Sequence, residues 1–211
     1  MSPPSHGGEF ASPHDLTSKH ERVAKLTHEL ASASLSRDRS VPRLVALMRK
    51  VDSIVDHEIE EAHKAFGEPV CRAGCDLCCH RGVRATIPEV VLAADYVASH
   101  FDPQEHQAFI ERTRQYVQAT AARRGSDVQG REACPLLVAG RCTIYEARPL
   151  LCRAAASRDI GICRSWNAGH GANVSLPELA TDREVAAGAA LGAGVSRLFS
   201  SAGPTMGQAY D

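Results

Sequence analysis

Aromatic residues make up only 5% of this 211-residue chain, with a single tryptophan. That is too sparse for the stacking platforms that hold single-stranded nucleic acid. Charge of one sign is missing as well. The 24 Lys and Arg nearly balance the 25 Asp and Glu, for a net charge of −1. The molecule as a whole therefore has no pull toward nucleic acid or an anionic membrane surface. No stretch approaches the ~20 apolar residues that span a bilayer. The first eight residues have neither a basic start nor an apolar run, so no secretory signal is expected. There is no phosphate loop and no Ser/His/Asp arrangement, and the glycine-rich segment 188–194 follows no strand, so it is not a cofactor loop. These absences predict a cytoplasmic protein without a nucleic-acid or membrane partner.

What the chain does have is cysteine in one place. All eight cysteines fall between positions 71 and 163. Cys71, Cys75, Cys78 and Cys79 are close together, and Cys134, Cys142, Cys152 and Cys163 are spread out. In a reducing cytosol disulfides are rare, and clustered cysteines are more often metal ligands or redox groups. Thiolates are soft ligands, and two sets of four suit two tetrahedral sites or one two-metal site. The bland alternative is buried free thiols that pack as small apolar residues. It explains scattered cysteines better than clustered ones.

The rest of the chain predicts a mainly α protein: a helical domain with an irregular cysteine-rich metal-binding section. Residues 1–14 read as a disordered tail and 15–39 as a weakly helical lead-in. Residues 40–202 read as one helical cysteine-cluster domain with its metal-binding section at 71–163, and 203–211 as a flexible C-terminus. Ser40 and Pro42 open a helix carrying Leu44, Met48, Val51, Val55, Ala62 and Phe66 at three-to-four spacing, ending near Gly67. Thr86 and Glu89 form a capping-box pattern for a helix to about His100. Asp102 and Pro103 start another that fades before Gly125. Residues 126–174 show no sustained period and read as loops and turns. A last helix is expected from Ser175 to about Ser200.

The adjacent pair Cys78–Cys79 carries extra information. Neighbouring side chains diverge by about 100° on a helix and point to opposite faces on a strand. A single ion would rarely take both, so the two are expected to serve different metals, with the later cysteines closing both sites.

The second group is more specific still: Cys134-Pro135, then Gly140, Cys142, Ile144, Tyr145, Arg148, Pro149, Cys152 and Arg153 in fixed spacing. Together with the Cys-x3-Cys-x2-Cys-Cys run, this resembles the YkgJ-like cysteine-cluster family of zinc- or iron-chelating proteins. The resemblance covers about 71–163 and implies metal chelation, by zinc or iron or an iron–sulfur cluster. Cys163 fits the family's eighth cysteine. The resemblance implies little about a reaction. A flagellin lysine methylase is similar in its cysteine pattern, which keeps an iron–sulfur or zinc enzyme open as the alternative. Cys71, Cys75 and Cys78 also match the triad of radical SAM enzymes. Those enzymes place it ahead of a long β/α barrel, whereas the 133 residues after Cys78 show no alternating strands. A thiol redox sensor, with Cys79 reactive, is a third reading.

Two tetrathiolate sites holding divalent ions would each carry a charge of −2, which needs nearby cations. Residues 71–164 contain 13 Arg, 10 Asp and Glu, and no Lys. Arg148 and Arg153 are expected to hydrogen-bond thiolates or the carbonyls of the metal loops, since guanidinium has five donors and keeps its charge. A general compositional bias toward Arg explains the count equally well, because Lys is absent beyond Lys64. His80 and His170 are weaker ligand candidates. His57, Glu60 and His63 have the wrong spacing for a metal motif and read as a solvated helix face. Tyr145 and Ile144 are expected to pack beside the site.

Overall fold

The computed structural model describes residues 25–121 and 132–168, apart from residues 73, 81 and 84. The expected tail, the helix from Ser175 and the C-terminus lie outside the described residues.

The long apolar stripe forms one helix, α2 (Val41–Phe66), preceded by a helix over residues 25–35, α1. Leu44, Met48, Val51, Val55 and Ala62 are buried, as their spacing requires, and Leu47 and Val45 widen the buried face. Ser40 occupies the N-cap position, yet its hydroxyl makes no cap hydrogen bond. From α1, Ala31 and Leu35 enter the same core. Helix α3 (Ile87–His100) packs against α2 through Leu92 and Val97. Its N-terminus is the expected capping box: Thr86 N–H donates to Glu89 Oε2 at 2.6 Å. Helix α4 (Pro103–Ala121) is capped by Asp102, whose Oδ1 accepts from the N–H groups of Gln104 and Glu105, both at 2.8 Å. Among the described residues, no helix is long and apolar enough to cross a membrane.

The section expected to be loops contains more structure than that. A two-stranded hairpin pairs β1 (Leu137–Val138) with β2 (Arg141–Cys142). Ala139 and Gly140 turn it, both at positive φ (49° and 74°), the backbone that a two-residue hairpin loop demands. A 3-10 turn (Tyr145–Ala147), helix α5 (Leu150–Ala154) and helix α6 (Ile160–Asn167) follow. Helices of five and eight residues are too short to declare a 3.6-residue period, which is why the sequence reads as irregular there. Ile144, Ala147 and Leu150 reach into the main core and fasten this section to α2 and α3.

Candidate metal centre

The cysteines arrive from several separate elements. Cys71 and Cys75 lie in the loop after α2, where Gly74 takes a φ of 86° and Cys75 N–H donates to Arg72 O at 2.9 Å. Cys78 and Cys79 sit on a single 3-10 turn, Leu77–His80. Cys134 precedes the hairpin, Cys142 ends its second strand, Cys152 rides on α5 and Cys163 on α6. Backbone bonds stitch these pieces together. Cys134 N–H donates to Cys79 O at 2.8 Å, and Val70 N–H to Ser157 O at 2.8 Å. Arg112 of α4 donates from Nε to Pro135 O, also at 2.8 Å, and pins the turn that follows Cys134.

The thiols are neighbours. Cys78 and Cys79 hydrogen-bond each other. Cys71 has Cys75 and Cys78 beside it, and Cys163 has Cys71, Cys75 and Cys78. Cys79 and Cys152 both neighbour Cys134 and Cys142. All eight are free thiols. Among the described residues, no three Cys, His, Asp or Glu side chains stand close enough to hold an ion as they are. The thiols lie near one another without forming a closed ligand set.

Backbone N–H groups are already aimed at sulfur. Leu136 N–H points at Cys134, Ile144 N–H at Cys142, and Ser157 N–H at Cys71. Such donors favour the thiolate. Burial works against them and pushes Cys71, Cys134, Cys142 and Cys163 up, and Cys152 to about 12. Within the adjacent pair, the hydrogen bond from Cys79 lowers Cys78 to about 7, and the same bond raises Cys79. Without a metal most of these groups hold their protons, so metal binding must release protons.

The two arginines behave differently. The Arg148 guanidinium lies over the Tyr145 ring, 3.9 Å from its centroid. Its charge reaches Cys71, Cys78, Cys142 and Cys152. Its Nε is buried with no hydrogen-bond partner. Arg153 contacts backbone and carboxylates: it donates to the carbonyls of Arg148 (3.2 Å) and Glu146, to Asp52 Oδ2 (2.8 Å) and to Asp56 Oδ2 (2.7 Å).

Residues 70–170 match the model of a family described as "Putative zinc- or iron-chelating domain". The match spans 101 of the 211 residues. No curated protein and no solved structure matches the chain.

The donor set of this segment fits a thiophilic metal. Eight thiols are present, Cys71, Cys134 and Cys142 with a neighbour's N–H aimed at them, and the unpartnered Arg148 Nε is a buried donor that a thiolate could satisfy. A bound metal would supply a fixed positive centre that holds the thiolates and the loops carrying them. His80 does not join the thiols; its Nε2 lies 3.5 Å from Asp76 Oδ2. His63 is less solvated than the helix-face reading predicts. Its side chain is 19% exposed, and Nδ1 sits 3.6 Å from Glu68. Ile144 is wholly buried, while Tyr145 is exposed beneath Arg148.

Asp52, Asp56 and Ser157 escape sequence reasoning, and so does the second role of Glu89. Glu89 Oε1 accepts the N–H of Leu150 at 2.8 Å, so the residue that caps α3 also holds the start of α5. Asp52 falls four residues after Met48, inside the apolar register of α2, and a carboxylate there was a readable signal for a buried partner. Burial pushes Asp52 up to about 7, against the pull of Arg153 and with help from Asp56 and Glu89. Its stabilising contribution is thus complete below the unfolded value near 4 and is lost as pH rises through about 7. Urea unfolding between pH 4 and 8 should show stability falling across this window, and Asp52→Asn should flatten that slope. An unchanged slope in the variant would refute the assignment to Asp52.

Proposed function

We propose that this protein is a cytoplasmic metal-binding protein that chelates zinc or iron through Cys71, Cys75, Cys78, Cys79, Cys134, Cys142, Cys152 and Cys163. The observation that carries this reading is the convergence of thiols from the 71–79 loop, the hairpin, α5 and α6 on one neighbourhood, with the Arg148 charge reaching both cysteine groups. Separate elements do not gather eight thiols by packing alone, because each thiol buries little apolar surface. Arg148 and Arg153 act around the metal, Arg148 through its charge and Arg153 through the loop carbonyls.

An enzymatic reading has one observation in its favour. A cleft of about 320 Å³, lined by Leu77, His80, Arg164, Asn167 and Ala168, opens beside the turn that bears Cys78 and Cys79. Asn167 Oδ1 is buried there without a partner. A small polar molecule in this cleft would lie next to the metal ligands.

Anaerobic purification followed by elemental analysis and a visible spectrum tests the proposal. Zinc in a colourless protein supports structural tetrathiolate sites. Brown protein absorbing near 400 nm supports an iron–sulfur centre and strengthens the enzymatic reading. Protein purified with neither metal, and taking up neither after reduction, would overturn it.

A further inference from the structure

The early and late cysteines come together across chain order: Cys134 N–H bonds to Cys79 O at 2.8 Å, and α6, which carries Cys163, packs on the Leu77–His80 turn. We infer that the eight thiols bind two adjacent metal ions as interleaved quartets, Cys71, Cys75, Cys78 and Cys163 on one ion and Cys79, Cys134, Cys142 and Cys152 on the other, with Arg148 between them. The inference rests on the metal-binding reading above and adds which thiols share an ion.

Cys163 on α6 neighbours Cys71, Cys75 and Cys78, all from the early group. Ser157 holds the two ends of this set together. Its N–H donates to Cys71, its side chain hydrogen-bonds Cys163, and its carbonyl accepts from Val70 at 2.8 Å. Helix α6 packs directly on the Leu77–His80 turn. On the other side, Cys79 and Cys152 share Cys134 and Cys142 as neighbours, and Cys134 itself neighbours Cys142. The hairpin explains that proximity. Leu137 pairs with Cys142 across the strands, and Leu137 N–H donates back to Cys134 O at 2.9 Å.

Cys78 neighbours members of both sets. Four-coordination decides where it belongs. Cys79, Cys134, Cys142 and Cys152 already number four, while Cys71, Cys75 and Cys163 need one more. Consecutive residues then serve different ions, and their peptide brings the two centres close. Each filled quartet around a divalent ion carries −2. Arg148 faces Cys71 and Cys78 of one quartet and Cys142 and Cys152 of the other, which is where a single cation best offsets both.

The test is anaerobic titration of the reduced full-length chain with Co²⁺, read by the visible absorption of tetrahedral cobalt–thiolate. The wild type should saturate at two equivalents. The double variant Cys71→Ser with Cys163→Ser should keep one full-strength tetrathiolate cobalt, and so should Cys134→Ser with Cys152→Ser. The crossed double Cys152→Ser with Cys163→Ser should keep none. A same-quartet double that loses both, or a crossed double that keeps one, overturns the partition. A wild type that takes one equivalent also overturns it while leaving metal binding intact; one that takes no Co²⁺ sinks metal binding itself. Should the variants fail to fold, the cobalt-loaded wild type can be stripped slowly with a chelator while each cysteine's alkylation is followed by mass spectrometry. The rates should fall into the same two quartets, and any other grouping, a common rate included, overturns the inference.

Discussion

Removing metal from the purified protein is expected to melt residues 132–168 well before the α2–α3 pair. Of that section's apolar side chains, only Ile144, Ala147, Leu150, Ala154, Ala156 and Cys163 are buried, and most of these are small. They bury little surface against the cost of ordering the loops between them, roughly 1–2 kcal/mol per residue for backbone alone. Metal ligation supplies what packing does not, because a site absent from the unfolded chain turns binding energy into folding energy. With free metal about 1,000-fold above Kd, saturation contributes about 4 kcal/mol. For a chain of this size that is a Tm shift of roughly 10 °C. Hydrogen exchange should localise the effect. The amides of Cys134, Leu137 and Cys152, each bonded to a loop or hairpin carbonyl, should lose protection on chelation. Those of Met48 and Val51 in α2, buried on the central helix, should keep theirs. Equal loss at both sets would mean that the metal supports the whole fold, and no loss at either would mean that it supports none of it.

Arg153→Ala is expected to be the most damaging single substitution outside the cysteines, at about 3–5 kcal/mol. The Arg153 side chain is 6% exposed and joins four acceptors from three elements: Asp52 and Asp56 of α2, and the carbonyls of Glu146 and Arg148 that lead into α5. Truncation leaves a buried carboxyl and two loop carbonyls without their donor. It also frees Arg148, whose carbonyl Arg153 holds and whose guanidinium faces the thiols. Arg153→Lys keeps the charge but not the fork, so it should recover only part of the loss. Adding Asp52→Asn to Arg153→Ala should cost less than the two singles summed, since the partner left behind is then neutral. Urea unfolding of the four proteins measures this. Strict additivity would show that the pair is not coupled. Metal content should fall with stability in Arg153→Ala, because this side chain helps to fasten the loops that carry Cys142 and Cys152 to α2.

Much of the scaffold was legible because it is locally encoded. The stripe from Leu44 to Ala62 becomes the buried face of α2, and the Thr86–Glu89 pair becomes a capping box, since both depend on residues within one or two turns. The short elements were not legible. Five residues from Leu150 cannot show a period, and the hairpin at Ala139–Gly140 lacks the Asn-Gly or Asp-Gly pair that usually announces one. Glu89 shows the same limit at a single residue. Its role at Thr86 is written three residues away, while its bond to Leu150 joins positions 61 apart and exists only once α5 docks on α2.

The sequence by itself determined the helical scaffold, the cysteines as the chemical feature, and the CxxCxxCC pattern, because helix periodicity, capping and thiol chemistry are properties of residues and their near neighbours. Only the tertiary structure decided which thiols meet. Cys163 comes near Cys71 because α6 packs on the Leu77–His80 turn and Ser157 bonds to both. Proximity between positions some ninety residues apart is set by how helices and loops dock, and spacing along a chain carries no information about that.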